Sequence, residues 1–520
     1  MDIFNNFPSS FKCLDGLSQV FDFEFMMGLA RECGLVVRRR KIQPLLVLKA
    51  FLDEGDGKRS VSMSAAWRRY RLLAGIAGLP LVSDTAFFNF VAKGALAKFL
   101  EEFGIELGKR LGDSAFTDTA DAVAALAERL GGLRDILAQD GTVAAVNPQA
   151  AARAPESFKN NDGEGGLKMH AAWSLSKSTL EASSITSAVS SERDEIQMDR
   201  VKGSLIICDA GYPSIELFGK LQDQGALMLF KMRSSMKPSV LKCSAFSNGK
   251  YSEELDFGGE RVKLRDDPRL GGQRSYDCVV SFARKGRAPL VMRVARVFNP
   301  RYCGAHSSRA LAGHEELTPL DGHFFLATNI PASQLDADQL YALYRLRWNA
   351  ERQFMALKSG CSFSAGKAIK ETSIRNLIRM STAAHHLKCA MAGAFSSMLG
   401  GARLSLLKVA TGSGVLVNCM IDRVLGASGI ADGLGLAQFK ELMLDAYGLL
   451  SASSPSAVNR RVGKSVGCTV QALLRPPSPG GPELARGPNP KHLRKIPPQG
   501  RKGGHRTEKT ERIKIRLFAG

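Results

Sequence analysis

Tyr344, Arg347, Glu351 and Lys358 lie within one segment, Leu340-Tyr-Ala-Leu-Tyr-Arg-Leu-Arg-Trp-Asn-Ala-Glu-Arg-Gln-Phe-Met-Ala-Leu-Lys358. The segment lacks Gly and Pro and is rich in Leu, Ala, Arg and Met, which predicts a single helix. Each helical residue turns by about 100°, so all four side chains fall on one narrow stripe roughly 21 Å long. A carboxylate in such a stripe is a hard oxygen ligand for a divalent cation. The guanidinium, ammonium and phenol around it suit the oxygens of a phosphate. Together they point to phosphoryl transfer on a nucleic-acid backbone. Arg347 and Glu351, four residues apart, equally suit a plain surface ion pair. The stripe by itself does not separate the two readings.

Two more carboxylates bear on it. Asp135-Ile-Leu-Ala-Gln-Asp140 reads as a short apolar strand closing on an acid, with Gly141 and Thr142 next. Ser204-Leu-Ile-Ile-Cys-Asp209 reads as a buried strand closing on a second acid. Singly, an Asp ahead of a glycine is a common turn former. Jointly with Glu351, three acids match the needs of paired Mg²⁺ or Mn²⁺ ions, which activate an attacking oxygen and stabilise a leaving one. Lys168 to Leu175 and Leu180 to Ala188 supply two further strands, and Arg193 to Val201 a short helix. Strand, hairpin strands, helix and strand make a plausible ribonuclease H-like start, with its carboxylates at the ends of strands. His170 shares a strand face with Lys168 and suits a hydrogen-bonded structural or DNA-facing role better than metal binding. His385 and His386 are adjacent on a predicted helix and face different directions.

The remainder of the chain fits a large nucleic-acid-binding protein. It has 520 residues, 71 Lys and Arg against 50 Asp and Glu, and a net charge of +21. That excess favours DNA or RNA as a partner ahead of a membrane surface. No run of about 18 apolar residues predicts a membrane span. Met1-Asp-Ile-Phe-Asn-Asn-Phe-Pro8 lacks the basic and apolar regions of a signal peptide. The ten scattered cysteines favour free thiols over disulfides or zinc. A cytoplasmic, nucleoid-associated protein is expected.

Residues 1–130 read as a helical DNA-binding region. It includes Phe23 to Gly34 with a glycine cap, the basic run Arg38 to Lys41, and the apolar helix Leu45 to Leu52. Ser62 and Ser83 open a possible helix-turn-helix pair. Residues 131–215 are expected to form the first part of the core, and 216–335 hold further strand-like runs, the stretch later read as a β-rich insertion from the family resemblance. Strand-like runs there are Ala226 to Met232, Arg261 to Arg265, Tyr276 to Ala283, Pro289 to Val297 and His323 to Thr328. Residues 336–455 complete the core and continue as helices. Residues 456–520 are expected to be a disordered basic tail, with 12 Lys and Arg against 3 Asp and Glu from Arg475 onward.

Asp140-Gly-Thr, Asp209-Ala-Gly-Tyr-Pro and Tyr-x2-Arg-x3-Glu-x6-Lys resemble, in order, the three motifs of the DDE transposases of bacterial insertion sequences. The third fits the YREK signature of the insertion sequence four family. Leu326-Ala-Thr-Asn329 resembles the strand that leads into it. The resemblance implies an α/β, ribonuclease H-like catalytic core interrupted by a β-rich insertion, with helical N- and C-terminal regions. It implies cut-and-paste DNA transposition: metal-dependent cleavage at the element's terminal inverted repeats and strand transfer into target DNA. Asp140, Asp209 and Glu351 would bind two Mg²⁺ or Mn²⁺ ions. Tyr344, Arg347 and Lys358 would contact end-DNA phosphates. Synapsis implies a homodimer. The chain departs from the family in the insertion, where a Trp stacks on a flipped base in other members. Its three tryptophans are Trp67, Trp173 and Trp348, so Phe298, Tyr302 or another aromatic would have to offer the ring. Two rival readings are an inactive, transposase-derived DNA-binding protein and a ribonuclease H-like nuclease that cuts by DNA structure.

Overall fold

The structure is a computed structural model. It describes residues 23–37, 42–55, 61–111, 117–160, 164–177, 179–232, 236–264, 267–270, 274–298, 323–364, 366–398, 406–412 and 473–482. The basic run at 38–41, Tyr302 and most of the basic tail lie outside them.

Among the described residues six helices come first: α1 (Phe23–Glu32), α2 (Pro44–Gly55), α3 (Met63–Ile76), α4 (Asp84–Val91), α5 (Gly94–Leu111) and α6 (Thr117–Arg129). Their boundaries follow local chemistry. Gly34 closes α1 with φ +70, a conformation glycine adopts without steric cost. Ser62 Oγ accepts from Ala65 N at 3.4 Å and opens α3. Ser83 Oγ accepts from Ala86 N at 3.2 Å and opens α4.

One ten-stranded sheet follows. In chain order its strands and the helices among them are β1 (Ile136–Ala145), α7 (Pro148–Arg153), β2 (Gly166–Ser174), β3 (Leu180–Ser187), α8 (Met198–Val201), β4 (Leu205–Cys208), α9 (Ile215–Asp223), β5 (Leu227–Lys231), β6 (Ser239–Ser247), β7 (Lys250–Leu255), β8 (Ser275–Arg284), β9 (Arg287–Phe298) and β10 (His323–Thr328). Across the sheet the order is β3-β2-β1-β4-β5-β10-β9-β8-β6-β7. β1, β4 and β5 are parallel, and every other pairing is antiparallel. A mixed α/β sheet with this order is compatible with a ribonuclease H-like core. The parallel run reaches β5, which lies inside the stretch expected to be insertion.

Alternation along the central strands feeds two cores. Ile136, Ala138, Leu205, Ile207 and Leu229 point to one face, beneath the N-terminal helices and the helices that follow β10. Leu137, Ile206, Cys208, Met228 and Phe230 point to the other, where α9 packs on β5, β8 and β9. These strands read as unbroken apolar runs because both faces are covered.

After β10 come α10 (Ala337–Tyr344), a 3₁₀ turn (Arg345–Arg347), α11 (Trp348–Gly360), α12 (Glu371–Met398) and α13 (Leu406–Gly412). The expected single helix from 340 to 358 is therefore two helices joined by a tighter turn. A 3₁₀ turn advances about 120° per residue, so the straight stripe does not survive. Other expectations also change. Residues 193–201 are helical only at Met198–Val201. Of the expected strand Arg261 to Arg265, the described residues Arg261 to Leu264 form only an isolated bridge, from Arg261 to Ser239. β6 and β7 were not foreseen. Residues 473–482, placed by composition in a disordered tail, pack against the fold, and Leu473 is fully buried. The six described cysteines form no disulfide. Among the described residues no helix is long and apolar enough to cross a membrane.

Candidate active site

β1 pairs with β4 from Ile136↔Leu205 to Ala138↔Ile207 and no further. β4 ends at Cys208, while β1 continues to Ala145 against β2 alone. Asp140 is thus not the end of its strand. It stands where β1 loses its parallel neighbour, and Asp209 stands where that neighbour stops. The carboxyl ends of parallel strands open a crevice of the kind α/β sheets use for sites. Asp140 shares the strand face of Ile136 and Ala138, which is the face toward α11.

The turn between α10 and α11 brings Arg347 to that crevice. Its Nη1 lies 2.9 Å from Asp140 Oδ2, and its Nη2 donates to Glu351 Oε1. One guanidinium therefore joins two acids that are 207 residues and 4 residues away in sequence. Burial disfavours charge on Arg347, but Tyr344, Glu351 and Asp140 outweigh it and raise its pKa. Arg347 Nε is buried without a hydrogen-bond partner. Tyr344 is buried, its ring 5.9 Å from that guanidinium, and burial pushes its phenol up to about 12.

Burial also lifts the Asp140 carboxyl from 3.8 to about 6, against the Gly141 N–H and the Arg347 charge. Asp209 and Glu351 add to the rise through their own charge, which places all three acids in one electrostatic field. Asp209 Oδ1 accepts from Gly211 N at 2.7 Å. Lys358 lies two turns beyond Glu351, about 10 Å along α11, and is exposed. The fold thus unites Asp140, Asp209, Glu351, Arg347 and Tyr344 and leaves Lys358 at the rim.

Sequence reasoning missed one neighbour of the site. A Cβ added to Gly211 would lie 2.7 Å from Glu192 Oε2 and 3.0 Å from Asp209 Oδ1. One added to Gly141 would lie 3.1 Å from Glu192 Oε1. Glu192 therefore covers the glycines of both Asp motifs, and Lys168 Nζ holds it at 3.2 Å. The glycines in Asp140-Gly and Asp209-Ala-Gly were the available signal, since both leave room for a long side chain. Lys231, at the end of β5, adds a cation near Arg347 and Asp209; burial lowers its pKa and the Arg347 charge lowers it further.

His170, His385 and His386 are buried. His170 Nε2 is 2.8 Å from Thr186 Oγ1, and burial lowers its pKa to about 4. His385 and His386 both lie edge-on to Trp173 in the core. His385 Nε2 meets Gln353 Oε1 at 2.6 Å.

Among the described residues no three of His, Cys, Asp or Glu lie close enough to hold a metal ion as they stand. Arg347 is the reason at Asp140 and Glu351, since it fills the space between them. The donor chemistry nevertheless fits a hard divalent cation: three carboxylates and a raised carboxyl pKa that added positive charge would relieve.

Residues 131–387 match the family model of the transposase DDE domain. Over that stretch the chain is similar to a transposase DDE domain. The matched stretch begins just before β1, ends within α12, and contains Asp140, Asp209, Tyr344, Arg347, Glu351 and Lys358. No curated protein matches the chain.

Proposed function

We propose that this chain is a cut-and-paste transposase of the insertion sequence four type. It would cleave double-stranded DNA at its element's terminal inverted repeats and join the freed 3′-hydroxyls to target DNA, as a homodimer on two ends. The observation that carries this reading is the Arg347 guanidinium holding Asp140 and Glu351 together beside Asp209, at the carboxyl end of β4 and the point on β1 where their pairing stops.

Asp140, Asp209 and Glu351 would hold paired Mg²⁺ or Mn²⁺. Bound there, the cations supply a nucleophilic oxygen at neutral pH and neutralise charge on the leaving oxygen. The chain's own residues do the rest. Arg347 keeps Asp140 and Glu351 at one place on the crevice wall. When their oxygens are otherwise satisfied, its planar fork turns to a DNA phosphate, which it fits in two-pronged fashion. Tyr344, its phenol held protonated, donates to the same backbone, and Lys358 contacts it further along. No protein nucleophile is needed, because water and then the 3′-hydroxyl attack phosphorus.

The test is cleavage of a plasmid bearing the element's ends, with Mg²⁺. Asp140→Asn, Asp209→Asn and Glu351→Gln should each abolish cleavage and keep end binding in a gel-shift assay. Full cleavage by the Glu351→Gln protein overturns the assignment. End binding without nicking by the wild-type chain favours an inactive DNA-binding descendant. Cutting at branched DNA regardless of terminal sequence favours a structure-specific nuclease.

A further inference from the structure

Residues 473–482 come from a stretch whose Pro and Gly content predicts disorder, yet they cross the start of α10 in close contact. The helix opens with a capping box: Asp336 Oδ1 accepts from Gln339 N at 2.9 Å, and Gln339 Oε1 accepts from Asp336 N at 3.0 Å. That box leaves one carboxylate oxygen and one amide nitrogen to spare, and this segment uses both. Asp336 Oδ2 accepts from Ser478 N and Ser478 Oγ, each at 3.1 Å. Gln339 Nε2 donates to Arg475 O at 2.9 Å.

Arg129, at the end of α6, fastens the same segment. Its Nη1 donates to Leu473 O at 2.7 Å and to Arg475 O at 2.6 Å, while its Nη2 donates to Gln334 O at 3.0 Å. Leu473 is buried in the cluster that holds Leu340, Leu343 and Tyr344. At the far end the backbone runs too close to the fold for any side chain. A Cβ on Gly481 would lie 2.5 Å from Ala332 Cβ and 2.8 Å from Tyr251 Cε2.

We propose that residues 473–482 are a clasp that positions α10, and through it Tyr344, Arg347 and Glu351, against the middle of β1 at Asp140. α10 has only eight residues before the 3₁₀ turn that carries Arg347. A helix that short takes its direction from its first turn, and the clasp holds that turn from outside. Arg293 holds the loop before it from within, donating from Nη1 to Ile330 O at 3.2 Å and to Leu335 O at 2.6 Å. The residues of the clasp make no hydrogen bond or ion pair with Asp140, Asp209 or Glu351, so they are positioning residues. Their catalytic consequence rests on the transposase reading, whereas their effect on α10 does not.

The test uses the full-length chain carrying Gly481→Val or Ser478→Ala. Amide hydrogen exchange is followed by mass spectrometry, beside Mg²⁺-dependent end cleavage. With Gly481→Val, exchange should rise in 473–482 and in 337–347, with 136–140 and 205–208 unchanged. The kcat of cleavage should fall about ten- to a hundredfold at unchanged KM for end DNA, as expected when reacting groups are misplaced by about 1 Å. Ser478→Ala removes one hydrogen bond and adds no atoms, so it folds and should give the same pattern at smaller amplitude. Exchange that rises in 473–482 alone overturns the proposal, as does full kcat with the clasp released. If the wild-type chain cleaves nothing, the transposase reading fails, and the exchange at 337–347 still decides whether the clasp positions the helix.

Discussion

Asp140 and Arg347 show a site whose parts are held at a cost to the fold. Asp140 accepts an ion pair and a backbone N–H, yet its carboxyl sits near 6 because burial outweighs both. The folded chain therefore holds that proton up to about pH 6, where the unfolded chain releases it near 4. The stability this gives is complete below pH 4 and is lost as pH rises through 6. Asparagine mimics the protonated form at every pH. In chelator, Asp140→Asn should be more stable than wild type at pH 7.5 by on the order of 3 kcal/mol. The gap should close by pH 4, as read from urea unfolding. A destabilised Asp140→Asn protein at pH 7.5 would show that the Arg347 ion pair outweighs burial. The residue types and order of Asp140, Asp209 and Glu351 were legible in the sequence. That Glu192 lies over Gly141 and Gly211 was not, because nothing in a lone Glu marks which glycines it will cover.

At the scale of elements, two devices fix the segment that carries Arg347 and Glu351. One is the 3₁₀ turn at Arg345–Arg347, which turns Arg347 toward β1. Composition did not betray it, since Arg and Leu suit a 3₁₀ turn and an α-helix alike. The other is a buried ion pair beneath the loop that leads into α10. Arg293 and Asp277 are both wholly buried, Arg293 Nε donates to Asp277 Oδ1 at 2.7 Å, and Tyr251 Oη donates to Asp277 Oδ2 at 2.6 Å. Arg293→Ala should cost about 3–5 kcal/mol, because it strands a buried carboxylate and two carbonyls. Replacing Arg293 and Asp277 together with apolar residues should cost clearly less in urea unfolding. Equal losses in the two proteins would mean that the carbonyl contacts, and not the charge pair, are what matter. Alternating and apolar runs marked most strands of the sheet. β6 and β7 escaped because their polar and apolar residues mix and their pairing is interrupted by a bulge.

At the scale of the whole molecule, the sheet separates two cores, and buried histidines on both of its faces must stay neutral. Burial lowers His170 to about 4, His386 to about 4 and His385 to about 3. A depressed histidine contributes stability that is present above its unfolded value near 6.5 and lost as pH falls through the folded value. Asp140 works in the opposite direction between pH 4 and 6, but three histidines outweigh one carboxyl. Unfolding free energy should therefore fall steadily from about pH 6.5 to 4, and a flat profile would contradict the burial of these rings. What the sequence determined by itself was the chemistry: three acids in order, a cation-flanked third motif, helices where caps and apolar periods stand, and strands where apolar runs stand. Those features are local, set by backbone period and by which side chains leave water. The tertiary structure alone decided the rest. It chose Arg347 as the link between Asp140 and Glu351, brought Glu192 over the motif glycines, and seated a Pro- and Gly-rich segment on the start of α10. Each is a choice among distant partners made by packing, and packing is not written in any one stretch of chain.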